Sequence, residues 1–359
     1  MRIALVHDYL NQYGGAERVL ETFAEIFPEA PIYTLFYDRE KTLNRFEGRV
    51  KGTSFLDNKA VVNNHRAFIP LMPLAASRIN LRDQYDVVLS SSAGYGKGIR
   101  YNGHTIHINY CHTPLRYAWE HQRYFNWGPI AKFLSAPIFW YLRSWDKSAG
   151  QRPKVLLANS EYIAKKIKDY YGRESGVLYP PVDLKIFYRD KTIKKSGYFL
   201  AVGRMLAYKR FDLIIQAFIR LNLPLLVVGG GPELENLKQL AKSSKINFLP
   251  FVKEEELKNL YNGAEALIFP QEEDFGLVAA EAQACGTPVI AYSRGGAKEI
   301  VQDGMTGIFF HHQTVEDVVM AVKKFLLSSF DEEVIRQSAK RFSKTRFKNK
   351  ILEIISKLN

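Results

Sequence analysis

Short apolar runs alternate with amphipathic helical stretches along almost the whole sequence, and this alternation lapses once and then restarts. Ile3-Ala4-Leu5-Val6 is an apolar run that ends in His7-Asp8. A turn carrying Gly14-Gly15 follows. Over residues 16–27, Val19, Leu20, Phe23, Ile26 and Phe27 then share one stripe, as in a half-buried helix. Further strand candidates lie at 32–36, 87–90, 105–110 and 155–158, the last leading into Asn159-Ser160, a good N-cap for a helix over 161–171. Such alternation specifies a parallel, doubly wound sheet, because parallel neighbours need a crossover that covers a sheet face.

The pattern stops between 172 and 197, where Tyr179-Pro180-Pro181 and a charged, strand-poor stretch read as a connector. It restarts as a strand at 198–202, a helix at 211–221 and a strand at 225–228 that enters Gly229-Gly230-Gly231-Pro232. A helix through 242, a strand at 247–249, a helix at 254–261, a strand at 266–269, a helix at 278–285 and a strand at 288–291 complete it. At 359 residues the chain exceeds what one core usually serves, and its 47% apolar content suffices for two. The expected architecture is α/β, with a Rossmann-like domain over 1–182, a linker over 183–196, a second such domain over 197–335, and helices over 336–359 returning to the first. A cleft between the two is the expected site.

The net charge of +13 points to an anionic partner, and the excess is spread through both halves. Its densest run, Lys340, Arg341, Lys344, Arg346, Lys348, Lys350 and Lys357, reads as a solvated helix face. Cys111 and Cys285 are the only cysteines and have no metal-like spacing, so a reduced, cytosolic protein is expected. No signal-peptide pattern precedes the first strand, and no apolar run reaches the ~20 residues needed to span a bilayer.

Ligands of parallel sheets sit outside the carboxyl ends of strands, which selects the polar loops at 11–15, 90–96, 112–114, 203–209, 229–231, 250–252 and 270–281. The sharpest of these is Glu273-Asp274-Phe275-Gly276-Leu277-Val278-Ala279-Ala280-Glu281. Its helix begins near Phe275, Gly276 and Leu277 and offers unpaired amides to an anion, while Glu281, two turns on, is placed to accept from a ribose diol. Arg204 and Lys209, just after a strand, could neutralise a diphosphate as a metal would. Each residue alone also fits an ordinary surface or core role.

The order of these landmarks resembles glycosyltransferase family four, whose E-x7-E region is usually written E-G-F-G-L-V-x-x-E-A-x-A-C-G-T-P-V-I-A. This chain departs at Asp274, where glycine is common, so an extra carboxylate stands near the expected diphosphate. The resemblance runs from Ile3-Ala4-Leu5-Val6-His7-Asp8 to Gly304-Met305-Thr306-Gly307 and implies a GT-B fold with retaining transfer. It implies catalytic roles for Glu273, His112, Arg204 and Lys209. It implies donor contacts at Gly14, Gly15, Gly203, Arg204, Lys209, Phe251, Val252, Glu273, Phe275, Gly276, Leu277 and Glu281. No D-x-D pair stands at a strand end, so no metal or other cofactor is expected. Asp8 is the one other strand-end carboxylate of the first half.

Val6-His7-Asp8-Tyr9-Leu10, Leu71-Met72-Pro73-Leu74 and Tyr110-Cys111-His112-Thr113-Pro114-Leu115-Arg116-Tyr117-Ala118-Trp119 resemble bacterial mannosyltransferases of O-antigen and capsule assembly. That resemblance implies GDP-mannose as donor, a polyprenyl-diphosphate-linked saccharide as acceptor, and peripheral attachment to an anionic membrane on its cytoplasmic face. The aromatic-rich stretch 129–145 fits either an interfacial element or a core helix. Three alternatives stay open: a UDP-sugar donor on the same fold, a nucleotide-sugar 2-epimerase, and a nucleic-acid-binding protein. The last rests on charge alone and lacks any recognised binding motif, so nucleic acid is not an expected partner.

Overall fold

The computed structural model describes all residues except 82, 83, 122–128, 243 and 359, together with the backbone alone of 129–133. It divides into two compact units, residues 1–179 with 348–359, and residues 180–347.

Unit 1 is built on strands β1 (Ile3–His7), β2 (Ile32–Thr34), β3 (Val50–Thr53), β4 (Val87–Ser92), β5 (Ile106–Cys111), β6 (Val155–Ala158) and β7 (Gly176–Val177). They form one sheet in the order β3-β2-β1-β4-β5-β6-β7, every pairing parallel. Every residue of β1 and β4 is buried, as expected of central strands covered on both faces. Its helices are α1 (Gly15–Ile26), α2 (Lys59–Asn64), α3 (Met72–Ser77), α4 (Arg116–Trp119), α5 (Pro129–Gly150) and α6 (Glu161–Tyr171). Ser160 caps α6 by accepting from the Ile163 amide, and Gly172 ends it at φ 67°. One core joins Ala4, Val6 and Val88 of the sheet to Met72 and Ala76 of α3 and Phe139 and Leu142 of α5.

Unit 2 carries β8 (Tyr198–Val202), β9 (Leu225–Val228), β10 (Ile246–Leu249), β11 (Ala264–Phe269), β12 (Val289–Tyr292) and β13 (Gly307–Phe310). Their order, β10-β9-β8-β11-β12-β13, all parallel, reverses direction at β8 as a Rossmann sheet does. The helices are α7 (Phe211–Leu221), α8 (Leu234–Leu240), α9 (Glu254–Gly263), α10 (Leu277–Ala284), α11 (Ala297–Ile300), α12 (Val315–Leu326), α13 (Glu332–Ala339) and α14 (Lys344–Ser356), whose last turns fall in unit 1. Phe199, Ile214, Phe218, Ile290, Val318 and Val322 are among the residues of its core.

The doubly wound α/β class read from the sequence is the observed one. The boundaries differ. Residues 183–196 are not a bare connector: they are laid on unit 2, where Arg189 donates to Glu332 Oε2 (2.6 Å) and to Ile193 O, and the Asp190 amide donates to buried Asn262 (2.8 Å). Val182 exchanges backbone bonds with Phe342 and Lys344, so the segment before α14 also stays with unit 2. Only residues from 348 on join unit 1, where Lys348 pairs with Glu25 at 2.9 Å. Of the expected helical segment 336–359, the first half therefore belongs to unit 2.

Candidate functional site

In unit 2 the predicted residues converge at the carboxyl ends of β8 and β11. The loop after β8 carries Gly203, exposed Arg204 and, in a single 3-10 turn, Lys209. The loop after β11 carries Glu273. Lys209 Nζ lies 2.9 Å from Glu273 Oε1, and both side chains are less than one-fifth exposed. The same oxygen has no well-directed hydrogen bond, so the contact is an ion pair of charges rather than a geometric lock. A Cβ on Gly203 would stand 3.4 Å from Lys209 Nζ, which places Gly203 in the same cluster.

Glycine is needed here for backbone crossings rather than for a phosphate nest alone. Gly229 has φ 134°, and a Cβ on it would lie 2.2 Å from Gly203 O, so the loops after β8 and β9 can cross only without a side chain. Gly296 does the same for the glutamate loop: its Cβ would meet Phe275 Cα and O at 2.4 Å, while its amide donates to Glu273 O at 2.9 Å. The sequence reading missed this second loop, residues 293–296, although Gly295-Gly296 directly after a strand was a visible signal.

Gly276 opens α10 at φ 106° and, as a glycine, brings no capping side chain of its own. Leu277 and Val278 are half-buried at this helix head, where the first amides of a helix lack intrahelical partners. Phe275 is buried against Phe342. Asp274 is only 8% exposed, so the departure from the usual glycine places a buried carboxylate in this loop. After β10, Phe251 is 73% exposed and Val252 is buried, which leaves one aromatic face and main-chain groups at that loop.

Glu281 is fully buried, and Tyr261 of α9 donates to its Oε2 at 3.2 Å.

In unit 1 the strand ends carry a second polar group. Gly14 is extended (φ −147°), so its backbone does not demand glycine, and Glu17 rather than glycine freedom fixes the turn by accepting from the Gly14 amide at 2.8 Å. Gly15 is exposed as the first residue of α1. Buried His7 stands 3.7 Å from the same Glu17 carboxylate. Asp8 is 4% exposed and accepts from Ser92 Oγ (2.9 Å), Ala93 N (2.6 Å) and Gly96 N (2.6 Å). It therefore pins the loop after β4. His112 lies at the end of β5, 8% exposed, with Nε2 2.7 Å from Ser91 Oγ and its ring edge-on to Tyr110.

Residues 13–186 match the model described as Glycosyltransferase Family 4, and residues 185–344 match Glycosyl transferases group 1. Together the two matches run from residue 13 to 344, and the fold is the GT-B fold of two parallel α/β units. Its parallel sheets agree with solved structures of that fold over nearly their whole length. Anabaena HepE in complex with UDP and glucose superposes with a TM-score of 0.73 at 18% identity, covering 99% of each chain. Sucrose-phosphate synthase from Thermosynechococcus elongatus superposes with 0.72 at 16% identity, covering 100% of this chain and 99% of that one. Among curated relatives, D-inositol 3-phosphate glycosyltransferase of Geodermatophilus obscurus is 35% identical over 202 residues, 48% of this chain and 45% of that protein. The aligned part thus spans less than half the length of that relative. Within this GT-B chain, the group 1 match contains Arg204, Lys209 and Glu273, and the family 4 match contains His112 and the glycine turn.

Proposed function

We propose that this chain transfers a hexose from a nucleotide sugar to a saccharide acceptor, with retention of configuration and without a metal. The observation that carries the reading is the Lys209–Glu273 pair at 2.9 Å, which joins the loop after β8 to the loop just before α10, a helix opened by Gly276. Without donor the two charges neutralise each other. A diphosphate takes the ammonium, and the carboxylate is released to accept from sugar hydroxyls, where positive charge develops as the bond to the leaving group breaks. Arg204 adds a second cation. The C1–O bond to the diphosphate breaks, the acceptor oxygen bonds C1 on the same face, and the acceptor proton passes to the departing phosphate oxygen. Asp8 is occupied by three donors and buried, which argues against a glycosyl-enzyme on that carboxylate.

Mannose from GDP-mannose is the proposed donor, from the resemblance of the N-terminal half. A UDP-sugar is the second reading, favoured by the UDP bound in the HepE structure. The proposed acceptor is lipid-linked and used at a cytoplasmic membrane face. No helix among the described residues is long and apolar enough to cross a membrane. In α5, Phe139 and Leu142 enter the core while Leu134, Ile138, Trp140 and Tyr141 are exposed, so both readings of 129–145 have their own face of the helix, its first five side chains lying outside the described residues. An aromatic face of this kind suits the lipid interface, and the positive net charge suits anionic headgroups. Calorimetric titration with GDP and UDP tests the donor site: one of the two binds the wild type and loses affinity in Lys209→Met. Equal binding by both proteins overturns the assignment.

A further inference from the structure

Three consecutive serines at the end of β4 each hold a different buried group. Ser90 Oγ lies 2.7 Å from His107 Nε2, Ser91 Oγ lies 2.7 Å from His112 Nε2, and Ser92 Oγ donates to Asp8 at 2.9 Å. All three serines are fully buried. Side chains alternate along a strand, so Ser91 projects to the face opposite Ser90 and Ser92. There it meets the one histidine of the three partners that stands at a strand end with a polar loop.

We propose that Ser91 is a positioning residue that sets the orientation and tautomer of the His112 imidazole, and so the face His112 turns to the transferred sugar. This rests on the glycosyltransferase reading of the same site. Ser91 cannot itself be a nucleophile, because no part of it reaches solvent. The backbone of the His112 loop is held independently of the Ser91 hydroxyl: the His112 amide donates to Ser92 O at 2.8 Å, and the Leu115 amide to buried Asp146 at 3.2 Å. What the hydroxyl adds is one bond to the ring. The Ser91 bond gives Nε2 a fixed partner inside the fold. An imidazole fixed by one nitrogen presents a defined donor or acceptor at the other. Loss of that bond lets the ring sample other rotamers without moving the chain.

Ser91→Ala isolates the bond, and Ser90→Ala is the matched control. The control removes a buried serine–histidine contact of the same 2.7 Å length on the same strand, but from His107, which burial holds neutral with its pKa lowered to about 3, and it also takes an acceptor from Asn109 Nδ2 at 2.8 Å. A merely structural effect would therefore strike Ser90→Ala at least as hard as Ser91→Ala. In Ser91→Ala, kcat is expected to fall about tenfold with the donor KM unchanged, the pattern of an interaction that matters most at the transition state. Ser90→Ala is expected to keep the wild-type kcat, and Ser91→Thr, which restores a hydroxyl, to recover most of the loss. Nitrogen-15 NMR of histidine-labelled protein supplies a readout independent of turnover: the His112 ring nitrogens shift in Ser91→Ala and not in Ser90→Ala. Unchanged His112 resonances in Ser91→Ala, or equal kcat losses in both alanine variants, overturn the proposal. If the wild type consumes no donor at all, the glycosyltransferase reading fails, while the NMR comparison still decides whether Ser91 orients His112.

Discussion

Asp146→Asn should invert the alkaline pH dependence of this protein's stability. Lys97 and Asp146 are both fully buried, with Nζ 2.7 Å from Oδ1. The other carboxylate oxygen accepts from Leu115 N (3.2 Å), Trp119 Nε1 (2.8 Å) and Tyr171 OH (2.8 Å), and Lys97 also donates to Gly94 O. Burial is the largest single influence and pushes the Lys97 ammonium down, but the charge and hydrogen bond of Asp146, together with Cys111 and Asp8, outweigh it and hold the group above its ordinary value. Stability from a raised group is present below the unfolded lysine pKa of about 10.4 and is lost only as pH climbs through the folded value, so the wild type should be flat from pH 7 to 10. In Asp146→Asn the largest raising influence is gone while desolvation stays and only the smaller effects of Cys111 and Asp8 oppose it, so the folded pKa drops below the unfolded one and the unfolded chain binds more protons. Stability should then rise with pH, by up to about 1.4 kcal/mol per unit between the two pKa values. Lys97→Met instead strands the carboxylate. Its expected cost is about 3–5 kcal/mol, roughly 6–20 °C in Tm at about 2–4 °C per kcal/mol. Pairing Lys97→Met with Asp146→Asn removes both charges while keeping an acceptor oxygen, and should recover most of that loss. Denaturant unfolding from pH 7 to 10 reads all four proteins. A flat profile for Asp146→Asn, or less than about 1 kcal/mol lost in Lys97→Met, would refute the reasoning.

Lys209→Met should weaken nucleoside diphosphate binding by about 10- to 100-fold, the worth of a charge-assisted phosphate contact, whereas Glu273→Gln should leave that binding intact and slow turnover; calorimetry and initial rates separate the two. Gly229→Ala should unfold at markedly lower temperature, because its Cβ would stand 2.2 Å from Gly203 O. Gly230→Ala, with nothing within 4 Å of the added carbon, should match the wild type in the same melt. NMR of the purified product should show the donor's anomeric configuration, and intact-protein mass spectrometry with a slow donor should find no sugar on Asp8; an inverted product would refute retention.

Much of the fold was legible because it is written locally. The runs at 155–158, 198–202 and 225–228 are strands with those bounds, since each is a short buried apolar stretch between turn residues. β3 was missed because Val50–Thr53 is a half-exposed edge without an apolar pattern, and β7 because it is two residues long. β13 was missed although Gly307–Phe310 is apolar, the glycine before it reading as a turn. At the site, residues close in sequence were easier to place than contacts distant in sequence. Ser91 and His112 are 21 residues apart, and Glu281 and Tyr261 20 apart, so no periodicity could pair them. The burial of Glu281 was not legible for the same reason: helix spacing gives a direction around α10, but not what packs there.

The central claim is that this chain moves a sugar from a nucleotide to an acceptor. Its most direct test is mass spectrometry of reactions containing a panel of nucleotide sugars, GDP-mannose and UDP-glucose among them, with and without lipid-linked saccharides and phosphorylated polyols as acceptors. The account predicts an acceptor heavier by one hexose, matched by released nucleoside diphosphate, and sharply reduced in Glu273→Gln. Conversion of a donor to its epimer with no acceptor present, or a full product yield from Glu273→Gln, would contradict it.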